Sequence, residues 1–183
     1  MTHYRKNFMI KMKNFVPESH PLLHQQLKEL PLPPSTQDRI ELECMMQYLR
    51  NSQDPDIAKK YNLRPGSGLS ANQIGLNKRM FVARYEDEKQ TAHEYKLINP
   101  KIISHTAHII FLPEGEGCLS VNRTVYGRVP RFEKIKIKAI DENGKSLVLS
   151  FKGYSSILIQ HEIDHMNGIM FYERIDQNNP LLD

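Results

Sequence analysis

The sequence predicts an α+β fold in which antiparallel sheet packs around one central helix. Three patterns carry that prediction. Glu133 to Ile140 alternates polar and apolar residues with the two-residue period of a strand, so Ile135 and Ile137 should face inward and the lysines water. Asp141-Glu142-Asn143-Gly144 is a hairpin turn, and Leu147, Leu149 and Phe151 resume the alternation on the return strand. From about Tyr154 to Met166 the period becomes helical, with Asn167-Gly168 as the stop.

The remaining elements follow in chain order. Residues 17–35 are rich in Pro, His and Leu and read as an extended, turn-rich lead-in. From Thr36, Ile40, Cys44 and Tyr48, flanked by Met45 and Leu49, form an apolar stripe at helical spacing behind a Ser35/Thr36 N-cap. Asp54-Pro55 opens a second short helix ending near Tyr61-Asn62, and Arg64-Pro65-Gly66-Ser67-Gly68 is a loop. Met80 to Ala83 and Leu97-Ile98 are expected strands, the second ended by Pro100.

The length of 183 residues fits one domain, residues 1–183, and no apolar run suits a membrane span. Net charge is +4, with the lysines scattered rather than massed, which does not argue for sequence-specific nucleic-acid binding. Two cysteines, Cys44 and Cys118, are too few for a disulfide framework and suit a reducing, cytoplasmic setting. The first residues are basic but lack the continuous apolar core of a secretory signal.

The chemistry begins at His161-Glu162-Ile163-Asp164-His165. On a helix, residues four apart sit one above the other, so two imidazoles can grip one metal ion while the Glu reaches a reacting water. Two surface histidines are the plain alternative, but the preceding Ile157-Leu158-Ile159 places this helix in the core, where a histidine pair needs a partner. A third ligand is required. The longer motif that continues through Gly168 would place it at Phe171, which cannot bind metal, and only ten residues follow Glu173. The ligand is therefore expected upstream. Cys118, with glycines on its N-terminal side, is the candidate, whereas Cys44 on the apolar stripe reads as a buried hydrophobe. Cys plus two His leaves one tetrahedral position open, the arrangement of a catalytic site.

At this point the residues carry a resemblance. Glu116-Gly117-Cys118-Leu119-Ser120 and Gln160-His161-Glu162-Ile163-Asp164-His165 resemble two signature motifs of the peptide deformylases. Gly66-Ser67-Gly68-Leu69-Ser70-Ala71-Asn72-Gln73 resembles the third, in the family's order. The segment from Asn51 to Arg64 and the short tail after Arg174 are similar to the Gram-positive, type II bacterial class. The resemblance implies a deformylase-like fold, with the central helix as the metal-binding one. It implies hydrolytic removal of the formyl group from N-formyl-methionyl nascent peptides. Cys118, His161 and His165 would hold the metal, Fe2+ in the cell, replaceable by Zn2+, Ni2+ or Co2+ in isolated protein. Glu162 would move the proton, and the Gln73 amide and Leu119 N–H would receive the oxyanion. Ser67, Gly68, Gly117, Tyr154, Ile157 and Leu158 would bind substrate, with Gly68 letting its backbone pair as an added strand. Glu116 would pair with Arg131 and hold the Cys118 strand.

Ser67 and Ser70 depart from the family's usual Val or Ile and Ala, and neither is expected to touch the metal or Glu162. His3, His20, His24, His93, His105 and His108 show no ligand spacing and default to the surface. The expected partners beyond substrate are limited to transient docking on the ribosome, with no membrane and a monomeric state. Two rival readings are a peptidase-like zinc hydrolase, which the same ligands could support, and a non-catalytic binder of chain termini, which the intact Gln73 and Glu162 disfavour.

Overall fold

The computed structural model describes residues 4–181, so His3 lies outside the described residues. Helix α1 spans Thr36–Gln53. Its N-cap is Ser35, whose hydroxyl accepts from the Asp38 N–H at 3.1 Å while Asp38 accepts from the Ser35 N–H at 2.8 Å, a reciprocal cap. Helix α2 spans Pro55–Tyr61. Asp54 caps it through the Asp56 and Ile57 amides, and Asn62 ends it in the left-handed region at φ 51°. Both helices lie where the apolar stripe and the cap residues placed them.

The main sheet has five strands in the order β1-β2-β3-β6-β7, all neighbours antiparallel. They are β1 Gly68–Ser70, β2 Met80–Glu86, β3 Ala92–His105, β6 Lys134–Ile140 and β7 Ser146–Lys152. A two-residue pair, β4 Ile109–Ile110 with β5 Arg131–Phe132, stands apart. The β6–β7 hairpin forms as expected. Ile135 and Ile137 are buried, Lys134, Lys136 and Lys138 are exposed, and Asp141 accepts from the Asn143 and Lys145 amides in the turn.

Two expectations need correction. Pro100 does not end its strand: β3 continues to His105. The pairing with β6 shifts register between Ile98 and Lys101, so Asn99 and Pro100 form a bulge where no amide proton is demanded. Asn99 takes φ 49° there, and its carboxamide both accepts from and donates to the backbone of Leu30 at 2.9 Å. The segment around Gly68 is also more than a loop, since Gly68–Ser70 pairs with Ala83 to Phe81 as the edge strand β1.

Helix α3, Tyr154–Met166, packs on one face of the sheet, and α1 packs on the other. Period-two alternation divides the strands: Phe81, Ala83, Leu97, Ile135, Ile137 and Ala139 meet Leu158, Ile159 and Ile163 of α3, while Leu69, Met80, Val82 and Ile98 meet α1. Gly168 takes φ 74° and terminates α3 against the backbone of Gln25, with no room for a side chain. The helix that carries the histidines is thus locked between sheet, lead-in and C-terminal turn.

Candidate metal centre

Three buried side chains converge. The ligand atoms of Cys118, His161 and His165 lie within 4.8 Å of one another, a spread that one ion with bonds of about 2.0–2.3 Å can draw together. Cys118 Sγ sits 3.2 Å from His165 Nε2. His161 Nδ1 contacts Glu116 Oε2 at 2.7 Å, which leaves Nε2 as the free ligand nitrogen. The charges suit a cation. Burial alone would raise the Cys118 thiol, but the neighbouring His165 charge and hydrogen bonds with both histidines outweigh it and hold the thiol well below its ordinary value. A thiolate with two imidazoles is a fitting donor set for a divalent transition metal. The spacing between Cys118 and the histidine pair is bridged by the fold, as the sequence expected. Phe171, where the longer motif wanted a ligand, instead lies nearly parallel to His161 with ring centroids 6.0 Å apart. Glu173 accepts from the Met170 N–H at 2.6 Å and stays outside the cluster.

A buried charge network backs the centre. Arg131 donates to Glu116 at 2.8 and 2.9 Å and to Asp164 at 2.5 Å. Arg174 closes the other side of Asp164 at 2.5 and 2.6 Å. Burial would raise the Glu116 carboxyl, yet the hydrogen bonds from Arg131 and His161 pull it down to about 2. The Glu116–Arg131 pair is as the resemblance implied, but the Cys118 stretch is not a strand: residues 111–130 are irregular. Irregular backbone needs other partners, and Arg64 supplies them. Its guanidinium donates to the carbonyls of Cys118 and Leu119, both at 3.2 Å, and of Val121 at 3.1 Å. The sequence marked Arg64 only as part of a loop. Arg64 also donates to Asn122 Oδ1 at 2.5 Å, and an arginine whose partners are mostly backbone oxygens of a distant loop carries no spacing signal.

Glu162 is buried, with one carboxylate edge on β1. Ser70 Oγ donates to Glu162 Oε2 at 2.9 Å, and a Cβ built on Gly68 would overlap the same carboxylate. Two expectations change here. Ser70 does touch Glu162, because β1 packs directly on α3. Gly68 is required first by Glu162, and only then free to approach a substrate backbone. Burial raises the Glu162 carboxyl above its ordinary value, with the histidine charges and the Ser70 hydroxyl opposing that shift. Gln73 is anchored through Oε1, which accepts from the Ser70 N–H at 2.8 Å, so its amide nitrogen points 3.3 Å from Cys118 Sγ and 3.3 Å from Ser120 Oγ.

The centre opens on one cavity of 360 Å³. Ser67, Gly68, Gln73, Gly117, Cys118, Leu119, Tyr154, Ile157, Leu158, His161 and Glu162 line it, together with Leu112, Arg64 and Gln53, which the sequence did not suggest. His165 is buried behind the wall. At the mouth, Tyr154 Oη donates to Ser67 Oγ at 2.9 Å, joining the first residue of α3 to the loop before β1. His24, His105 and His108 are exposed and His20 and His93 half-buried, and none joins the cluster.

Similarity to known proteins agrees with this geometry. The family model described as polypeptide deformylase matches residues 12–180. Peptide deformylase 2 of Bacillus subtilis is 44% identical over 172 residues, covering 94% of each chain. Peptide deformylase of Halalkalibacterium halodurans is 49% identical over 168 residues, covering 92% of each. Among solved structures, peptide deformylase from Thermus thermophilus superposes with a TM-score of 0.72 at 30% identity, covering 90% of this chain and 86% of that one.

Proposed function

The chain belongs to the polypeptide deformylase family, and on that premise we propose that Glu162, Gln73 and Leu119 act around a metal held by Cys118, His161 and His165. The reaction removes the formyl group from the N-terminal formyl-methionine of newly synthesised polypeptides and releases formate. The observation that carries the assignment of roles is the convergence of Glu162 and Gln73 with Cys118 and His161 on one cavity wall, with His165 directly behind it.

Cys118, His161 and His165 would hold a divalent ion, which when bound would supply the chemistry of lowering the pKa of a water toward about 7. Glu162 takes the proton, and its raised affinity for protons suits a group that must hold one and hand it on. Attack at the formyl carbon places negative charge on its oxygen, and the Gln73 amide and the Leu119 N–H receive it. Loss of one such donor typically costs about 10²–10³ in rate. Glu162 then delivers its proton to the amine as the C–N bond breaks. The methionine side chain enters between Ser67, Tyr154, Ile157 and Leu158, while Gly68 and Gly117 leave room for substrate backbone to pair alongside.

We assign Fe2+ as the cellular metal, with Zn2+, Ni2+ or Co2+ able to replace it in isolated protein. The mixed thiolate and imidazole set supports any of these ions. The 183 residues act as one catalytic domain, as a monomer in the cytoplasm that meets its substrates by transient association with the ribosome. Protein prepared anaerobically, with its metal identified, should release formate from formyl-Met-Ala-Ser and leave Met-Ala-Ser intact. Cleavage of a peptide bond in Met-Ala-Ser would favour the peptidase reading instead.

A further inference from the structure

The peptide that joins Cys118 to Leu119 is gripped from one side by a single charged side chain. Arg64 Nη2 donates to the Cys118 carbonyl at 3.2 Å and to the Val121 carbonyl at 3.1 Å. Its Nη1 donates to the Leu119 carbonyl at 3.2 Å and to Asn122 Oδ1 at 2.5 Å. Among the described residues none of its partners is a carboxylate, so its charge falls on neutral acceptors. The arginine is itself fixed from α1. The buried Tyr48 donates from Oη to the Arg64 carbonyl at 2.8 Å, and Gln53 Nε2 donates to the Gly66 carbonyl at 2.8 Å. Leu119 packs so closely on this segment that a Cβ at Gly66 would come within 2.8 Å of Leu119 Cδ1.

A trans peptide is planar, with its C=O and N–H pointing in opposite directions. The Cys118–Leu119 peptide is trans, so seating its carbonyl on Arg64 turns the Leu119 N–H to the side away from the guanidinium. Among the described residues that N–H donates to no protein acceptor, whereas the Val121 N–H is taken by the Cys118 carbonyl at 3.1 Å. A cation on the carbonyl oxygen also draws electron density out of the amide and makes its N–H a stronger donor. We propose that Arg64 is a positioning residue that aims and strengthens the Leu119 N–H as an oxyanion donor, which rests on the role assigned to that N–H above. Arg64 acts through the peptide, so it matters to the transition state and little to the bound substrate.

Formate release from a formyl-tripeptide, on enzyme of matched metal content, reads the kinetic effect. Arg64→Ala should lower kcat about 10²-fold, the cost of misplacing a catalytic group by about 1 Å, with KM changed less than about twofold. Arg64→Lys keeps the charge but not the planar fork that reaches four acceptors, so it should fall nearly as far. Added guanidinium ion should restore kcat to Arg64→Ala, and an equal concentration of sodium or ammonium should not. The sequence also supplies a direct probe, since Cys118 is the only cysteine followed by leucine. Isotopic labels at the cysteine carbonyl and the leucine nitrogen therefore pick out the Leu119 amide as one cross-peak. In the Zn2+-loaded chain without substrate, Arg64→Ala should move that amide proton upfield, and guanidinium ion should move it back. Mere loosening of the loop would not be reversed in this way. If Arg64→Ala does not fold, Arg64→Lys carries the same kinetic and spectral predictions. Wild-type kcat in these variants, a loss confined to KM, an unmoved cross-peak, or equal recovery with sodium would overturn the proposal. No formate release by the wild type would count against the assigned chemistry instead, and the cross-peak would still decide whether Arg64 polarises this peptide.

Discussion

One hydroxyl, that of Ser70, separates the Glu162 environment here from one with alanine at that position. A neutral hydrogen bond contributes about 1 kcal/mol, so Ser70→Ala should lower kcat by a factor of about five with KM unchanged. Steady-state kinetics on a formyl-tripeptide reads this; an unchanged kcat would mean the hydroxyl does not steady the carboxylate. Cys118→Ser should keep the fold but weaken metal retention, measured as metal content after dialysis, because an alcohol at that position is not ionised as the thiol is. The ligands were legible because H-E-x-x-H has a fixed helical spacing and a glycine-flanked cysteine is unusual. Arg64 was not, since its loop partners lie 54 to 58 residues along the chain. The contact of Ser70 with Glu162 likewise depends on β1 meeting α3, which no local pattern encodes.

Elements marked by a repeated period, a cap or a turn in consecutive residues were readable, and the shortest strands were not. Helices α1, α2 and α3 and the β6–β7 hairpin carry caps, stripes and a turn in consecutive residues. Strands β1, β4 and β5 are two or three residues long, too short to show alternation, and exist only through their partners. Pro100 misled for the same reason, because a bulge is a property of the pair. At the start of α1, Ser35→Ala should cost about 1 kcal/mol of stability through loss of the cap. Asp38 links this cap to pH. Its burial opposes ionisation, but the Lys78 ammonium and the Ser35 bonds outweigh that and hold the carboxyl below its ordinary value. A carboxyl lowered in the folded state contributes stability above its unfolded pKa and loses it as pH falls. The urea midpoint should therefore drop below about pH 4, and Asp38→Asn should flatten that drop.

At the scale of the whole molecule, the metal centre joins parts distant in sequence: the irregular stretch from 111 to 130, α3, and the C-terminal turn through Arg174. A ligand bound only by the folded state stabilises it, so chelation should lower the thermal midpoint as well as abolish turnover. No helix among the described residues is long and apolar enough to cross a membrane. The central claim is that Glu162 moves the proton while Cys118, His161 and His165 hold the metal. Formate release by Glu162→Ala, assayed on protein whose metal content matches the wild type, tests it most directly. The arrangement predicts full metal occupancy with turnover reduced to near background. Turnover close to wild type in that variant would contradict it.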